Sequence, residues 1–256
     1  MPKRLGIPGD SYLRPLFNGL RGETREGDLQ VIEASPAELA LQLRQGELDG
    51  AFLSPIDYAK DYSDYKIVPQ VACSSSGPSG IVSLLFNEQL FSLRTVAVDP
   101  RYTSEIVLMH LILVEKYDIV PQIVPAGGSV DDLLKTHDAV LVTGAAAEQM
   151  SGRKNKIDLV DEWTDLTGMP FVHGFWTVNE GLPGNFELDI LALSPPPVAP
   201  QIEGIQVEED GSFVPRIDFA FGADVAEALN EFYRMAYYHG ILKDLPDLRF
   251  PTPAGP

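Results

Sequence analysis

Residues Leu159–Val178 read LVDEWTDLTGMPFVHGFWTV. An acidic helix start, Asp161-Glu162-Trp163, runs into a Thr167-Gly168 break, and a Pro-led apolar strand carrying Phe171, Phe175 and Trp176 follows. Helix, break and buried strand in so short a run predict the second crossover of a two-lobed, hinged α/β protein.

The rest of the chain alternates in the same way. Strands are expected at Arg4–Ile7, Leu29–Glu33, Asp49–Leu53, Tyr65–Ala72, Ile81–Phe86, Thr95–Val98, Asp138–Thr143 and Phe171–Val178. Helices are expected over Ser11–Leu20, from Ser35 to Gly46, after Ser54-Pro55, over Thr103–Tyr117 and over Ala223–His239. Ser35-Pro36-Ala37-Glu38 has the makings of a capping box, with Ser at the N-cap, Pro at the first helical position and Glu at the third. Alternating strands and helices imply mostly parallel sheets with right-handed crossovers. The chain is expected to pass between lobes near Phe86–Thr95 and near Val178–Gly184. Lobe 1 then holds residues 1–88 and 180–256, and lobe 2 residues 89–179. Residues 181–215, including LSPPPVAPQ, read as an irregular connection. No internal sequence repeat is evident.

A chain of 256 residues, 45% hydrophobic, can bury a substantial core. Its 19 basic and 37 acidic residues leave a net charge of −18, which argues against nucleic acid and anionic membranes as partners. Any anion site must therefore concentrate positive charge locally, and Arg14 and Arg101 are the cations placed to do so. Cys73 is the sole cysteine, which excludes an intrachain disulfide and reads as a small core thiol. The start MPKRLGIPGDSYLRPL lacks the apolar core of a signal peptide, and no run reaches the ~18 apolar residues of a membrane span. A cytoplasmic location is the expectation.

In an open α/β sheet, ligands bind beyond the carboxyl ends of strands, where helix N-termini present N–H groups. Four places qualify: Pro8–Arg14 with Ser11, Tyr12 and Arg14; Ser54; the run Ser74–Gly80 with Ser75, Ser76 and Ser79; and Tyr102-Thr103-Ser104 at a helix start, with Thr143-Gly144 beside it. Hydroxyls and helix starts from both lobes would suit carboxylates held in an interlobe cleft. Ser35 and Ser54 are also plain N-caps, and the Ser/Gly run is also a plain turn. His110, His137, His173 and His239 show no metal-ligand spacing, and His173 reads as a packed core residue. Phosphate-loop, dinucleotide, nucleophile-elbow and zinc-protease motifs are absent, so no cofactor or metal is expected.

The motif E-W-x-x-x-T-G-x-P-F-V-x-x-x-W, Glu162–Trp176, resembles the chorismate dehydratases of menaquinone biosynthesis by the futalosine route. SPAELALQLRQGELDGAFLSPIDYAKDYSDYKIVP, Ser35–Pro69, is similar to that family's S-P-x-x-L…L-x-x-G-x-L-D…S-x-x-E-Y-A stretch. SSSGPSGIVSLLF, Ser74–Phe86, VAVDPRYTSEIVLMHLILVEKY, Val96–Tyr117, and AEALNEFYRMAYYHGILKDLPDLRF, Ala226–Phe250, extend the likeness in chain order. It implies a type 2 periplasmic-binding-protein fold and the cofactor-free removal of water from chorismate, giving 3-[(1-carboxyvinyl)oxy]benzoate. Ser11, Ser54, Ser75, Ser76, Ser79, Thr103, Ser104, Thr143 and Gly144 would then bind substrate, with Tyr12 and Arg14 catalytic.

The departures fall in the pocket. The family's first loop, Y-L-N-x-x-P-L, is here Asp10–Leu16, where Tyr12 or Arg14 replaces the Asn according to which end is aligned. The Ser of its G-P-x-x-S falls on Ile81, between Ser79 and Ser83. Its L-I-G-D becomes Val142-Thr143-Gly144-Ala145. A non-catalytic solute-binding protein or sensor for a small carboxylate is the alternative that these changes favour. A lyase acting on a cyclic futalosine-type substrate fits the fold but lacks an S-P-C-P-N-D-like first loop.

Overall fold

The computed structural model describes residues 3–22, 29–87, 89–181, 190 and 217–251. Strands β1 (Lys3–Pro8), β2 (Leu29–Ala34), β3 (Gly50–Leu53) and β4 (Tyr65–Ser75) lead the chain. They are followed by β5 (Val82–Phe86), β6 (Thr95–Val98), β7 (Gln122–Pro125), β8 (Ala139–Thr143), β9 (Lys156–Asp158), β10 (Phe171–Asn179) and β11 (Ile217–Phe221). They form a six-stranded sheet ordered β11-β4-β10-β3-β1-β2 and a five-stranded sheet ordered β7-β6-β8-β5-β9. The helices are α1 (Arg14–Gly22), α2 (Pro36–Arg44), α3 (Pro55–Lys60), α4 (Thr103–Tyr117), α5 (Val130–Leu133), α6 (Ala145–Gln149), α7 (Leu159–Thr167) and α8 (Ala223–Tyr238). None of the described helices is long and apolar enough to cross a membrane. The 181–215 connection lies outside the described residues apart from Gly181 and Ile190.

Each sheet organises its own compact unit. The first unit holds the described chain up to Ser74, resumes at Val172 and includes the residues from Asp218 onward; the second holds Ser75–Phe171. The crossings therefore come earlier than Phe86–Thr95 and Val178–Gly184, and residues 75–88 and 172–179 change sides. Hydrogen bonding is the reason. β5 is antiparallel to both β8 and β9 and so already belongs to the second sheet. β10 pairs antiparallel with β3, Trp176 opposite Phe52, and so belongs to the first.

The two units share a connectivity that no sequence repeat announces. In the first, β1-α1-β2-α2-β3 gives the order β2-β1-β3, all parallel, with antiparallel β10 beside β3. In the second, β6-α4-β7-α5-β8 gives β7-β6-β8, all parallel, with antiparallel β5 beside β8. Right-handed crossovers put successive helices of such a unit on opposite faces. In the first unit, Phe17 of α1 meets Phe52 and Trp176 edge-on. Leu39 of α2 presses instead on the other face, over Gly6 and Ala51. The point where the order reverses, between β1 and β3 or between β6 and β8, opens a crevice at the strands' carboxyl ends.

Local chemistry sets the ends of these elements. Ser35 and Glu38 form the expected capping box, the Ser35 amide donating to Glu38 Oε2 at 2.9 Å. Gly168, at φ 71°, takes the left-handed turn that ends α7, and the Trp163 indole N–H donates to the Pro170 carbonyl at 3.1 Å. Both tryptophans are fully buried. Tyr58 ties down the C-terminal segment: its hydroxyl donates to the Asp247 carbonyl at 2.8 Å and accepts from the Arg249 amide at 3.1 Å. Cys73 is buried, and burial pushes its thiol pKa up, as suits an inert core thiol.

Gly174 lies in mid-strand on β10 because β3 leaves it no room. A Cβ there would lie 2.5 Å from Phe52 Cε1 and 2.8 Å from the Leu53 carbonyl oxygen. Gly174→Ala is expected to cost about 2 kcal/mol by overpacking. A urea titration showing an unchanged midpoint would contradict that packing.

Candidate functional site

Among the predicted residues, Ser11, Tyr12, Arg14 and Ser54 gather at the reversal point of the first unit. The chain leaves β1 into a 3-10 turn, Ser11–Leu13, closed by the Leu13 amide on the Asp10 carbonyl at 3.2 Å. Helix α1 then starts at Arg14, with Pro15 tolerated in its first turn. The Ser11 Oγ is shielded from solvent and has no hydrogen-bond partner among the described residues. Tyr12 packs against His173 of β10, ring centroids 5.3 Å apart at 59°. Arg14 is exposed, and its guanidinium forms no ion pair among the described residues.

His173 is buried as expected of a core residue, near the start of β10 and beside Tyr12. Burial lowers its pKa from 6.5 to about 3, so the imidazole is neutral at pH 7. The unfolded chain takes up a proton near its ordinary pKa and the folded chain does not, so stability is complete above that pKa and falls as pH drops toward the folded value. The protein is expected to be about 2 kcal/mol less stable at about pH 5 than at about pH 7 from this group alone. His173→Gln should remove that part of the slope. An identical pH dependence in wild type and variant would contradict it.

Ser54 sits at the end of β3 as the N-cap of α3, and its hydroxyl donates to Asp57 Oδ2 at 2.8 Å. Asp57 is in turn held by Lys60 at 2.9 Å. A hydroxyl has one proton, and this one is given to Asp57, so in this arrangement Ser54 meets a ligand as an acceptor. That differs from the carboxylate-holding role the sequence suggests for it.

In the second unit the Ser/Gly run is pinned rather than open. Ser79 is fully buried; its hydroxyl faces Asp158 Oδ1 at 3.4 Å and accepts from the Ile81 amide at 3.1 Å. Asp158 also takes the Gly80 amide at 2.5 Å and, as N-cap of α7, the Val160 and Asp161 amides at 2.9 and 3.2 Å. Burial raises the Asp158 pKa, opposed by those amides. The Gly77 amide reaches Thr164 Oγ1 at 3.0 Å. Ser79 is thus spent on the turn, whereas Ser76 is half-buried and Ser75 buried at the end of β4.

The second reversal point carries the remaining residues. Tyr102, not Thr103, is the N-cap of α4, so Thr103 and Ser104 are its first two helical residues; Ser104 is fully buried. The Gly144 amide is bonded to the Ile81 carbonyl at 2.8 Å. Thr143 lines a cavity of about 290 Å³ with Asp99, Arg101, Tyr102, Gly127 and Gly128. Arg101 is committed to Asp99, through Nε at 2.9 and 3.0 Å and through Nη2 at 2.5 Å. Those hydrogen bonds hold the Asp99 pKa below the usual carboxylate range. Asp99 and Asp158 were not singled out as site residues, although the Asp-x-Arg spacing at Asp99 and the Asp before Leu159 at a helix start were available signals.

Residues 3–192 match the family described as menaquinone biosynthesis. The chain belongs to that family. All the predicted site residues lie inside the span that matches. The menaquinone-biosynthesis chain is 26% identical over 193 residues to a chorismate dehydratase of Thermus thermophilus, covering 68% of this chain and 69% of that one. Its fold is similar to protein AF1704 of Archaeoglobus fulgidus, with a TM-score of 0.66, 16% identity and coverage of 93% and 97%. It is also similar to the periplasmic aliphatic sulphonate binding protein SsuA of Escherichia coli, with a TM-score of 0.59, 15% identity and coverage of 96% and 95%. The family member therefore has the two-lobed, type 2 periplasmic-binding-protein-like fold.

Proposed function

We propose that this protein removes water from chorismate to give 3-[(1-carboxyvinyl)oxy]benzoate. One observation carries the proposal. The segment after β1 brings a shielded Ser11 hydroxyl, Tyr12 and an exposed Arg14 with no ion pair among the described residues into one turn and helix start. It does so in a chain related to a chorismate dehydratase.

The reaction asks little of a protein. A C–H and a C–OH bond on adjacent ring carbons break, the ring becomes aromatic, and water leaves. Positioning, charge stabilisation and exclusion of water supply the acceleration. Arg14 binds a substrate carboxylate, while Ser11 and Tyr12 donate to oxygens that gain charge as the hydroxyl departs. Ser54, its proton given to Asp57, accepts a hydrogen bond from the substrate. The proton passes to an enzyme group or to one of the substrate's own carboxylates. Thr103 and Ser104 of the second unit are further candidates for carboxylate binding.

Incubation with chorismate and no added cofactor tests this. The expected result is loss of chorismate with growth of aromatic absorbance at a rate proportional to protein. A rise in melting temperature with chorismate left intact would instead support the solute-binding alternative. The changed first loop, with Tyr12 and Arg14 in place of the family's Asn, is the observation that keeps that alternative in view.

A further inference from the structure

We propose that His173 is a positioning residue, its ring fixing the ring of Tyr12 and so setting where the phenol hydroxyl meets the substrate. His173 has that role only if Tyr12 donates to the substrate as proposed above, so the inference rests on that reading.

The two rings close a gap that the sheet leaves. In the first unit three strands lie in the order β10-β3-β1. Tyr12 follows β1 on the turn Ser11–Leu13, and His173 is the third residue of β10. Between them β3 stops at Leu53, which pairs with Phe175. β10 runs antiparallel to β3, so His173, which precedes Phe175 by two residues, stands past the last residue of β3. There the chain turns away at Ser54 into α3. Tyr12 reaches across that end, and its ring meets the His173 ring at 5.3 Å between centroids and 59° between planes. Tilted pairs at such a spacing are a favoured aromatic geometry.

His173 is the stiffer partner. It is 4% exposed, and its strand neighbours Val172 and Gly174 are buried. Gly174 packs so closely on β3 that the backbone beside His173 has no slack in that direction. Burial keeps the imidazole neutral at pH 7, so it meets the phenol as an uncharged ring. Tyr12 is only half-buried, on a three-residue turn, and needs a neighbour to hold its side-chain torsions. Displacing a reacting group by about 1 Å costs on the order of 10²-fold in rate, so fixing this ring matters to catalysis.

A double-mutant cycle on chorismate conversion by the full chain tests whether His173 acts through Tyr12. His173→Ala is expected to lower kcat about 30-fold and to change KM less than about threefold, because the hydroxyl acts only as charge develops. His173→Phe, which keeps a ring, should recover most of that loss. In Tyr12→Phe, which has no hydroxyl to aim, His173→Ala should cost less than about threefold. Equal losses in both backgrounds, or a folded His173→Ala protein with wild-type kcat, would overturn the proposal. Incorporation of 3-fluorotyrosine gives a second readout that needs no turnover. The Tyr12 fluorine resonance, assigned by its absence from Tyr12→Phe, should move toward the solvent-exposed value in His173→Ala and stay near its wild-type position in His173→Phe. A resonance unmoved by His173→Ala would show that His173 does not fix the ring. Chorismate left intact by wild type, with the resonance moved as expected, would reject the dehydration and uphold His173 as the group that holds Tyr12.

Discussion

Arg14→Ala is expected to lower kcat/KM for chorismate about 100-fold, or about 2.7 kcal/mol of transition-state stabilisation, with little change in melting temperature. The separation of the two effects follows from the position of the side chain. Arg14 is exposed at the start of α1 and forms no ion pair among the described residues, so its removal leaves no buried partner behind. What is lost is a cation in a protein with an 18-charge acidic excess. Arg14→Lys should recover part of the loss, since it keeps the charge without the fork of donors. Steady-state kinetics on the three proteins decides it. An Arg14→Ala protein with wild-type kcat/KM would remove Arg14 from the proposed site.

Asp158→Ala is expected to destabilise the second unit by about 3 kcal/mol. One carboxylate there receives the Gly80, Val160 and Asp161 amides and faces the Ser79 hydroxyl, joining a turn to a helix start 78 residues away in sequence. Removing it leaves several donors in a poorly solvated place. The relief of a buried charge, visible in the raised pKa, offsets only part of that cost. With two compact units the chain need not unfold in one step, so amide exchange at Gly80 and Val160 is the appropriate reading. Exchange there should accelerate about 100-fold in Asp158→Ala. An unchanged rate would show that the turn holds without the carboxylate.

Much of this architecture is legible in the sequence, for local reasons. Thr103–Tyr117 is helical over its expected span, and Ser35-Pro36, Ser54-Pro55 and Gly168 mark element ends because caps and left-handed turns are short-range chemistry. β7, β9 and β11 escaped notice because each is a short edge strand with one neighbour, and sequences such as Lys156-Ile157-Asp158 have almost no alternation to read. The crossing points were misplaced for a different reason. Whether β5 joins β8 or β4 is settled by pairing across more than fifty residues, which no local pattern encodes.

The site divides along the same line. That Ser11, Tyr12, Arg14 and Ser54 lie at the carboxyl ends of β1 and β3 was legible because those strands were recognised. Ser79 looked like a pocket hydroxyl because its partner, Asp158, is remote in sequence and only the fold brings it near. Thr143 and Arg101 were identified, but not the cavity they share, whose other wall, Gly127-Gly128, follows the unrecognised strand β7. The polarity of Ser54 likewise needed coordinates, because a hydroxyl's use depends on where its single proton goes.

The central claim is a particular bond change in chorismate, so the most direct measurement identifies the product by mass and chromatographic comparison with authentic 3-[(1-carboxyvinyl)oxy]benzoate. The account predicts a product lighter than chorismate by one water, with the carboxyvinyl ether intact and no pyruvate released. A product of unchanged mass, release of pyruvate, or chorismate recovered whole after prolonged incubation with folded protein would contradict it.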